Sequence, residues 1–125
     1  MKKTRIVPFV LLCLLTAFWA LPVRADTAAD LYFEAEACQR KLYRNATWQK
    51  YRHRWMNCIE RFQAVYRHDP NGPWAAAGLY MTGELYYELY QRSGRLSDQK
   101  EAIDHFERIV KRFPQSAYRS RAEKV

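Results

Sequence analysis

A spaced set of residues occurs twice in this chain, 44 positions apart. Cys58, Ile59, Phe62, Val65 and Pro70 fall on Ala102, Ile103, Phe106, Ile109 and Pro114, and the aromatic residue beyond the proline, Trp74, falls on Tyr118. A small residue, an aromatic four later, an aliphatic three after that and a proline five further on describe a helix with one buried face and a fixed stop. Two copies at one offset restrict the chain to repeated helical hairpins. There is no sustained alternation of apolar and polar residues, and no Asn-Gly turn between β-branched runs, so no strand is expected. The fold class read from the sequence is all-α: two antiparallel helical hairpins and the start of a third.

The repeats do not begin at residue 1. Met1-Lys2-Lys3-Thr4-Arg5 is basic, and Ile6 to Leu21 follows without a charge. Val23 and Ala25 then supply small residues before Asp26. A basic start, an apolar middle and a small-x-small end are the pattern of a cleaved secretory signal. The apolar run is 16 residues, short of the roughly 20 that a spanning helix needs. Pro8 near its start also works against one long helix. Residues 1–25 are therefore expected to be a signal peptide and 26–125 the exported chain, with no stable membrane span after cleavage and a periplasmic or secreted location. Cys38 and Cys58 then sit in an oxidising compartment.

Within 26–125 the hairpins are placed at about 27–68 and 73–114, with a partial helix over 116–125. Leu31, Ala35, Cys38 and Leu42 make the stripe of the first helix. Trp48, Tyr51, Trp55, Cys58, Ile59, Phe62, Val65 and Tyr66 make a wide face on the second, expected from about Trp48 to Arg67 with Thr47 able to cap it. His68-Asp69-Pro70-Asn71-Gly72-Pro73 stops that helix. The third helix runs to about Gln91 and is apolar nearly all round, so it is expected to be covered on more than one side. Ser97 or Asp98 is expected to cap the fourth with Glu101 as the return acid. That helix is expected to bury Ala102, Ile103, Phe106, Ile109, Val110 and Phe113. Ser116 can cap the fifth.

The formal net charge is +8. Lys2, Lys3, Arg5 and Arg24 lie in the first 25 residues without an acid, which leaves +4 for the rest. Gln39 to His68 carries eight bases against Glu60 alone. Arg52, Arg54 and Arg61 are the candidate basic face. A basic stretch with aromatics can bind nucleic acid, but an exported protein rarely meets it, so no nucleic-acid partner is expected. Anionic wall polymer or lipid headgroups fit a basic face outside the cytoplasm better, and a solvated helix face fits most simply. No catalytic constellation is present. His53, His68 and His105 are not paired with carboxylates at ligand spacing and are read as surface residues. There is no phosphate loop, no Gly-x-Ser-x-Gly and no Cys–His couple with an orienting acid. No enzyme, metal or cofactor is expected.

Small-x-x-x-Phe-x-x-aliphatic-x-x-x-x-Pro, on Cys58, Phe62, Val65 and Pro70 and again on Ala102, Phe106, Ile109 and Pro114, resembles the second-helix half of a tetratricopeptide repeat. Gly83 with Tyr86 or Tyr87 resembles that family's first-helix glycine and aromatic. The period here is 44 residues against about 34 in the family, so the first helices are longer. Phe113-Pro114-Gln115-Ser116-Ala117-Tyr118 is similar to the repeat ending of bacterial envelope proteins of this type. Lys50 to Met81, around Tyr51-Arg52-His53 and Gly72-Pro73-Trp74, resembles the region before the catalytic domain of some secreted N-acetylmuramoyl-L-alanine amidases.

The resemblance implies an α-solenoid whose first helices line a groove. With Gly83 as the close-packing residue, the groove side of the third helix holds Ala77, Tyr80, Glu84, Tyr87 and Glu88. The expected function is a non-catalytic scaffold that binds a protein or peptide in the bacterial envelope. The alternative is a targeting module for peptidoglycan, with an amidase domain elsewhere. Carrying Gly83 back one period lands on Gln39, beside Cys38. Cys38 and Cys58 are then either a disulfide or two separate buried thiols. The fifth helix has one side with nothing against it, which implies self-association through this end or continuation into more chain.

Overall fold

A computed structural model describes residues 27–124. The signal-peptide reading of residues 1–25 lies outside them. The described residues are all-α: α1 is Ala28–Arg44, α2 Arg52–His68, α3 Ala75–Ser93, α4 Leu96–Arg112 and α5 Tyr118–Ala122. Short connections fold α1 on α2 and α3 on α4, as two antiparallel hairpins. α2 also packs on α3, and α5 rests on α4 and α3.

Each helix has local causes for its ends. Thr27 caps α1: its Oγ1 accepts from the Asp30 amide at 3.2 Å, and Asp30 Oδ2 accepts from the Thr27 amide at 3.2 Å. Both orphan donors are thereby satisfied. Trp48–Lys50 is a separate 3-10 turn, not the first turn of α2, which starts at Arg52. Thr47 makes no side-chain cap there; Asn45 Oδ1 accepts from the Trp48 amide at 3.0 Å instead. The turn is tied down from both sides. Gln49 Nε2 donates to the carbonyls of Leu42 and Tyr43, each at 3.1 Å, closing the end of α1. Trp55 Nε1 donates to the Gln49 carbonyl at 2.9 Å. α3 ends at Gly94, whose φ of +67° is left-handed, a conformation glycine takes without a Cβ penalty.

The core lies between the hairpins. Leu42, Trp55, Ile59, Phe62, Val65, Leu79, Leu85 and Ile109 are buried within it. α3 is covered by α2 on one side and α4 on the other, and its small residues set the approach. A Cβ on Gly78 would lie 3.1 Å from the Phe62 carbonyl oxygen and 3.0 Å from Val65 Cβ. A Cβ on Gly83 would lie 2.8 Å from Phe106 Cε1. Helix propensity favours alanine over glycine by about 1 kcal/mol, whereas overpacking costs about 1–3 kcal/mol. At a contact this short, against a buried ring, packing wins. Gly83→Ala is expected to lower the thermal midpoint; a midpoint equal to or above wild type in calorimetry would contradict the close approach.

Several expected core positions are corrected, Tyr51 among them: it precedes α2 and is 51 % exposed. Ile103 is 42 % exposed rather than buried, because nothing among the described residues covers that side of α4. On α1 the buried aromatic is Tyr32, beside the half-buried Leu31. Tyr32 meets Trp74 at 5.0 Å and Phe62 at 5.6 Å between ring centres, edge and tilted contacts that favour aromatic pairs.

Asp98 does not cap α4, whose N-cap is Arg95. Its carboxylate is buried and takes Arg52 as a bidentate pair, at 2.6 Å from Nη2 and 2.8 Å from Nη1. Ser93 Oγ donates to the same carboxylate at 2.8 Å. His105 is likewise not on the surface. It is 6 % exposed, with Nδ1 2.6 Å from the Glu101 carbonyl; a carbonyl only accepts, so that nitrogen carries the proton.

Candidate functional site

The sequence points to α3 as a groove wall, and its side chains meet those of α1 and α5 on one face. Tyr43 of α1 donates its hydroxyl to Glu88 of α3, 2.8 Å from Oε1 and 2.9 Å from Oε2. Gln39 Nε2 donates to the Tyr43 oxygen at 3.0 Å. Further along, Tyr80 of α3 stacks against Tyr118 of α5 at 5.0 Å and against Phe106 at 5.8 Å. Tyr118 also lies near enough to Tyr32 to raise its hydroxyl, which brings α5 toward α1. The first helices thus share a surface of tyrosines and glutamates.

The electrostatics of this face follow from its partial burial. Burial, and then the neighbouring Glu88, push the Glu84 carboxyl above its usual range, against a hydrogen bond from Tyr80 that works the other way. Burial pushes the Tyr32 hydroxyl up to about 12, with Tyr118 and Glu36 adding to it. Burial followed by the Glu88 contact raises Tyr43 as well. Glu88, one turn away, thus adds to the burial that disfavours the charged form of Glu84.

The five candidate groove residues do not share one role. Ala77 is buried in the core and does not line the face. Tyr80 is half-buried and wedged between Phe106 and Tyr118. Glu84, Tyr87 and Glu88 are half-buried, and Tyr87 touches Tyr90 at a ring distance of 6.3 Å. Tyr43 was missed, although the period contains it: one repeat before Tyr87 is Tyr43. Tyr118 carried the repeat signal as the counterpart of Trp74, but its place beside Tyr80 depends on how α3 and α5 converge, and Tyr32 carried no such signal.

The basic residues are dispersed. Arg52 is committed to Asp98. Arg54 lies 4.0 Å over the Trp48 ring, a cation–π contact. Arg61 is exposed and borders a cavity of about 320 Å³ between α1 and α2, with Glu34 and Lys41. At the floor of that cavity Cys38 and Cys58 are joined as a disulfide, their Cα atoms 5.5 Å apart. Among the described residues no group of His, Cys, Asp and Glu could hold a metal ion, and no helix is long and apolar enough to cross a membrane.

Comparison of the chain with models of protein families, with curated proteins and with solved structures found no match. The reading of its function therefore stands on the chain's own residues.

Proposed function

We propose that this chain is a non-catalytic, protein-binding module of the bacterial envelope, of the tetratricopeptide-like kind, and that the face shared by α1, α3 and α5 takes a peptide segment carrying basic and apolar side chains. The observation that carries this is the convergence of Tyr43, Glu84, Tyr87 and Glu88 on one half-exposed surface. Tyrosine offers a large contact area at small entropy cost. A lysine or arginine brought to this face would relieve the repulsion between Glu84 and Glu88 that its present setting imposes. Residues 1–25 as an export signal supply the location. The peptidoglycan-targeting alternative is less supported, because Arg52, one of its three basic residues, is committed to the buried Asp98.

The test separates binding from folding. Tyr87→Ala removes a half-buried ring that packs against the edge of the core and touches Tyr90, and is expected to cost about 1 kcal/mol. Binding of a partner isolated on the immobilised protein from envelope extract should nevertheless fall at least tenfold. Tyr80→Ala removes a packed ring and is expected to cost about 2 kcal/mol, which calorimetry would read as a lowered midpoint. Retention of every envelope partner by both Tyr87→Ala and Glu84→Gln would exclude this face as the binding site.

A further inference from the structure

We infer that the cleft between α2 and α4 binds a small oxyanion, a phosphate or sulfate group, held by Arg67, His105 and Arg108. None of the residues lining this cleft belongs to the tyrosine–glutamate face, so the inference does not depend on that reading.

The fold brings three bases from two helices to one place. Arg67 lies in the last turn of α2, and His105 and Arg108 lie one turn apart on α4. α3 runs between those helices, and its buried Leu79 and Thr82 line the same cleft. The Thr82 hydroxyl is already used, since it donates to the Gly78 carbonyl at 2.8 Å. The cleft measures about 190 Å³. Sites for drug-sized ligands run to roughly 300–1,000 Å³, so this one takes a smaller group.

No carboxylate lines the cleft. Among the described residues neither Arg67 nor Arg108 is in an ion pair. The nearest further charge has the same sign. Arg112 donates to the Tyr66 hydroxyl, and the guanidinium carbons of Arg108 and Arg112 each lie 5.7 Å from the Tyr66 ring centre. A cleft walled by one sign of charge concentrates ions of the other.

His105 points to the same ligand independently. Its side chain is only 8 % exposed, and Nδ1 is taken up by the Glu101 carbonyl. Nε2 has no hydrogen-bond partner among the described residues. No buried side-chain nitrogen or oxygen among them lacks one, so Nε2 reaches open space, and the space that the imidazole borders is this cleft. Neutral donors stand beside it. Tyr66 accepts from Arg112 and keeps its own proton to give, and the Gln63 amide adds N–H groups. Guanidinium forks and donors on two walls suit the several oxygens of a tetrahedral anion better than the two coplanar oxygens of a carboxylate.

Binding carries a proton with it. With the proton on Nδ1, neutral His105 offers a lone pair at Nε2, and facing an oxyanion that nitrogen must take up a proton to donate. The charged and titratable groups around the ring are Glu101 and Arg108 of α4, Tyr86 of α3 at a ring distance of 5.8 Å, and Arg67 of α2. Affinity should therefore fall as pH rises through the range in which histidine titrates.

Sulfate is the first probe, because it keeps two negative charges from about pH 5 to pH 8 while histidine does not keep its one. In a heteronuclear NMR titration of the purified protein, with sulfate replacing chloride at fixed ionic strength up to about 20 mM, signals of Gln63, Arg67, His105 and Arg108 should saturate with a Kd of about 1 mM or lower. Affinity should be about tenfold weaker near pH 8 than near pH 5.5. Arg67 and Arg108 are exposed, so Arg67→Gln and Arg108→Gln should leave the thermal midpoint in place and weaken binding about tenfold each. His105→Gln keeps a donor that does not titrate and should abolish the pH dependence; the arginine variants decide the question if it fails to fold. Inorganic phosphate and phosphatidic acid vesicles then separate the sources. Sedimentation with those vesicles, but not with phosphatidylcholine, that is lost in Arg67→Gln/Arg108→Gln places the group on a lipid; binding of inorganic phosphate without sedimentation makes the ligand the free anion. Shifts that climb without saturating overturn the inference. So does saturation unchanged in Arg67→Gln/Arg108→Gln, or a pH dependence that survives in folded His105→Gln.

Discussion

Arg52→Ala is expected to destabilise the fold by about 3 kcal/mol, the low end of the 3–5 kcal/mol typical of breaking a buried ion pair. The low end applies because the Arg52 side chain is 37 % exposed and partly screened, while that of Asp98 is 2 % exposed. The same asymmetry predicts which partner matters more. Without Arg52, Asp98 remains a buried carboxylate that water cannot reach, held by Ser93 alone. Without Asp98, Arg52 can turn to solvent. Asp98→Ala should therefore cost less than Arg52→Ala, and the double variant no more than Arg52→Ala, as measured by denaturant unfolding. An Asp98→Ala cost equal to or above that of Arg52→Ala would contradict this account.

The pair also fixes a pH dependence. Hydrogen bonds from Arg52, and then from Ser93, hold the Asp98 carboxyl below its usual range, against the opposing effect of burial. A carboxyl lowered on folding stabilises the protein above its unfolded value of about 3.9 and loses that contribution as pH falls through the folded value. Wild type should thus lose stability below about pH 4. Removing Arg52 leaves burial dominant, which favours the neutral acid. The stability gap between wild type and Arg52→Ala should therefore narrow as pH falls below about 4.

Loss of the bond between Cys38 and Cys58 is the second large effect. It spans 20 residues of sequence, and constraining a loop of that size is worth about 3 kcal/mol in the unfolded ensemble. For a domain of about 100 residues that corresponds to a fall of roughly 12–24 °C in Tm. Cys38→Ala/Cys58→Ala, or reduction of the wild type, should show this fall in a thermal scan. Two thiols that alkylate freely in the non-reduced protein, or a midpoint unchanged by reduction, would show that the bond does not hold the hairpin. α3 and α4 have no such bond, so reduction should loosen α1 first.

The hairpins were legible because their cause is local and repeated. The spacing of Phe62, Val65 and Pro70, and of Phe106, Ile109 and Pro114, fixes face and stop without reference to anything distant. Gly83 was read as a close-packing residue only through the tetratricopeptide resemblance, since Gln39 stands one period earlier. Asp98 was not legible. It stands at a place where an aspartate commonly caps a helix, and its actual partner lies 46 residues earlier in the chain. Nothing near Asp98 distinguishes the two roles. Thr47 misled in the same way, since the side chain that serves the turn is Asn45. His105 was read from its polar class, but its position on α4 beside Tyr86, at a ring distance of 5.8 Å, decides its burial. On the candidate face, Glu84 and Tyr87 could be read from α3, whereas Tyr32 and Tyr118 depend on how α1 and α5 converge.

The contacts that reach across the two hairpins share a sequence separation. Arg92 with Gln49 spans 43 residues, Tyr43 with Glu88 spans 45, and Arg52 with Asp98 and Arg112 with Tyr66 each span 46. All lie close to the period, so corresponding places on successive hairpins are laced together side by side. In a stack whose units touch only sequential neighbours, stability is a sum over units and junctions, and an end can fray while the rest stands. Here α1 is laced to α3 and α2 to α4, past the helix that lies between them in sequence. Opening one hairpin strips polar partners from the other, so these bonds add a junction energy to the packing of α2 on α3 that already joins the two hairpins.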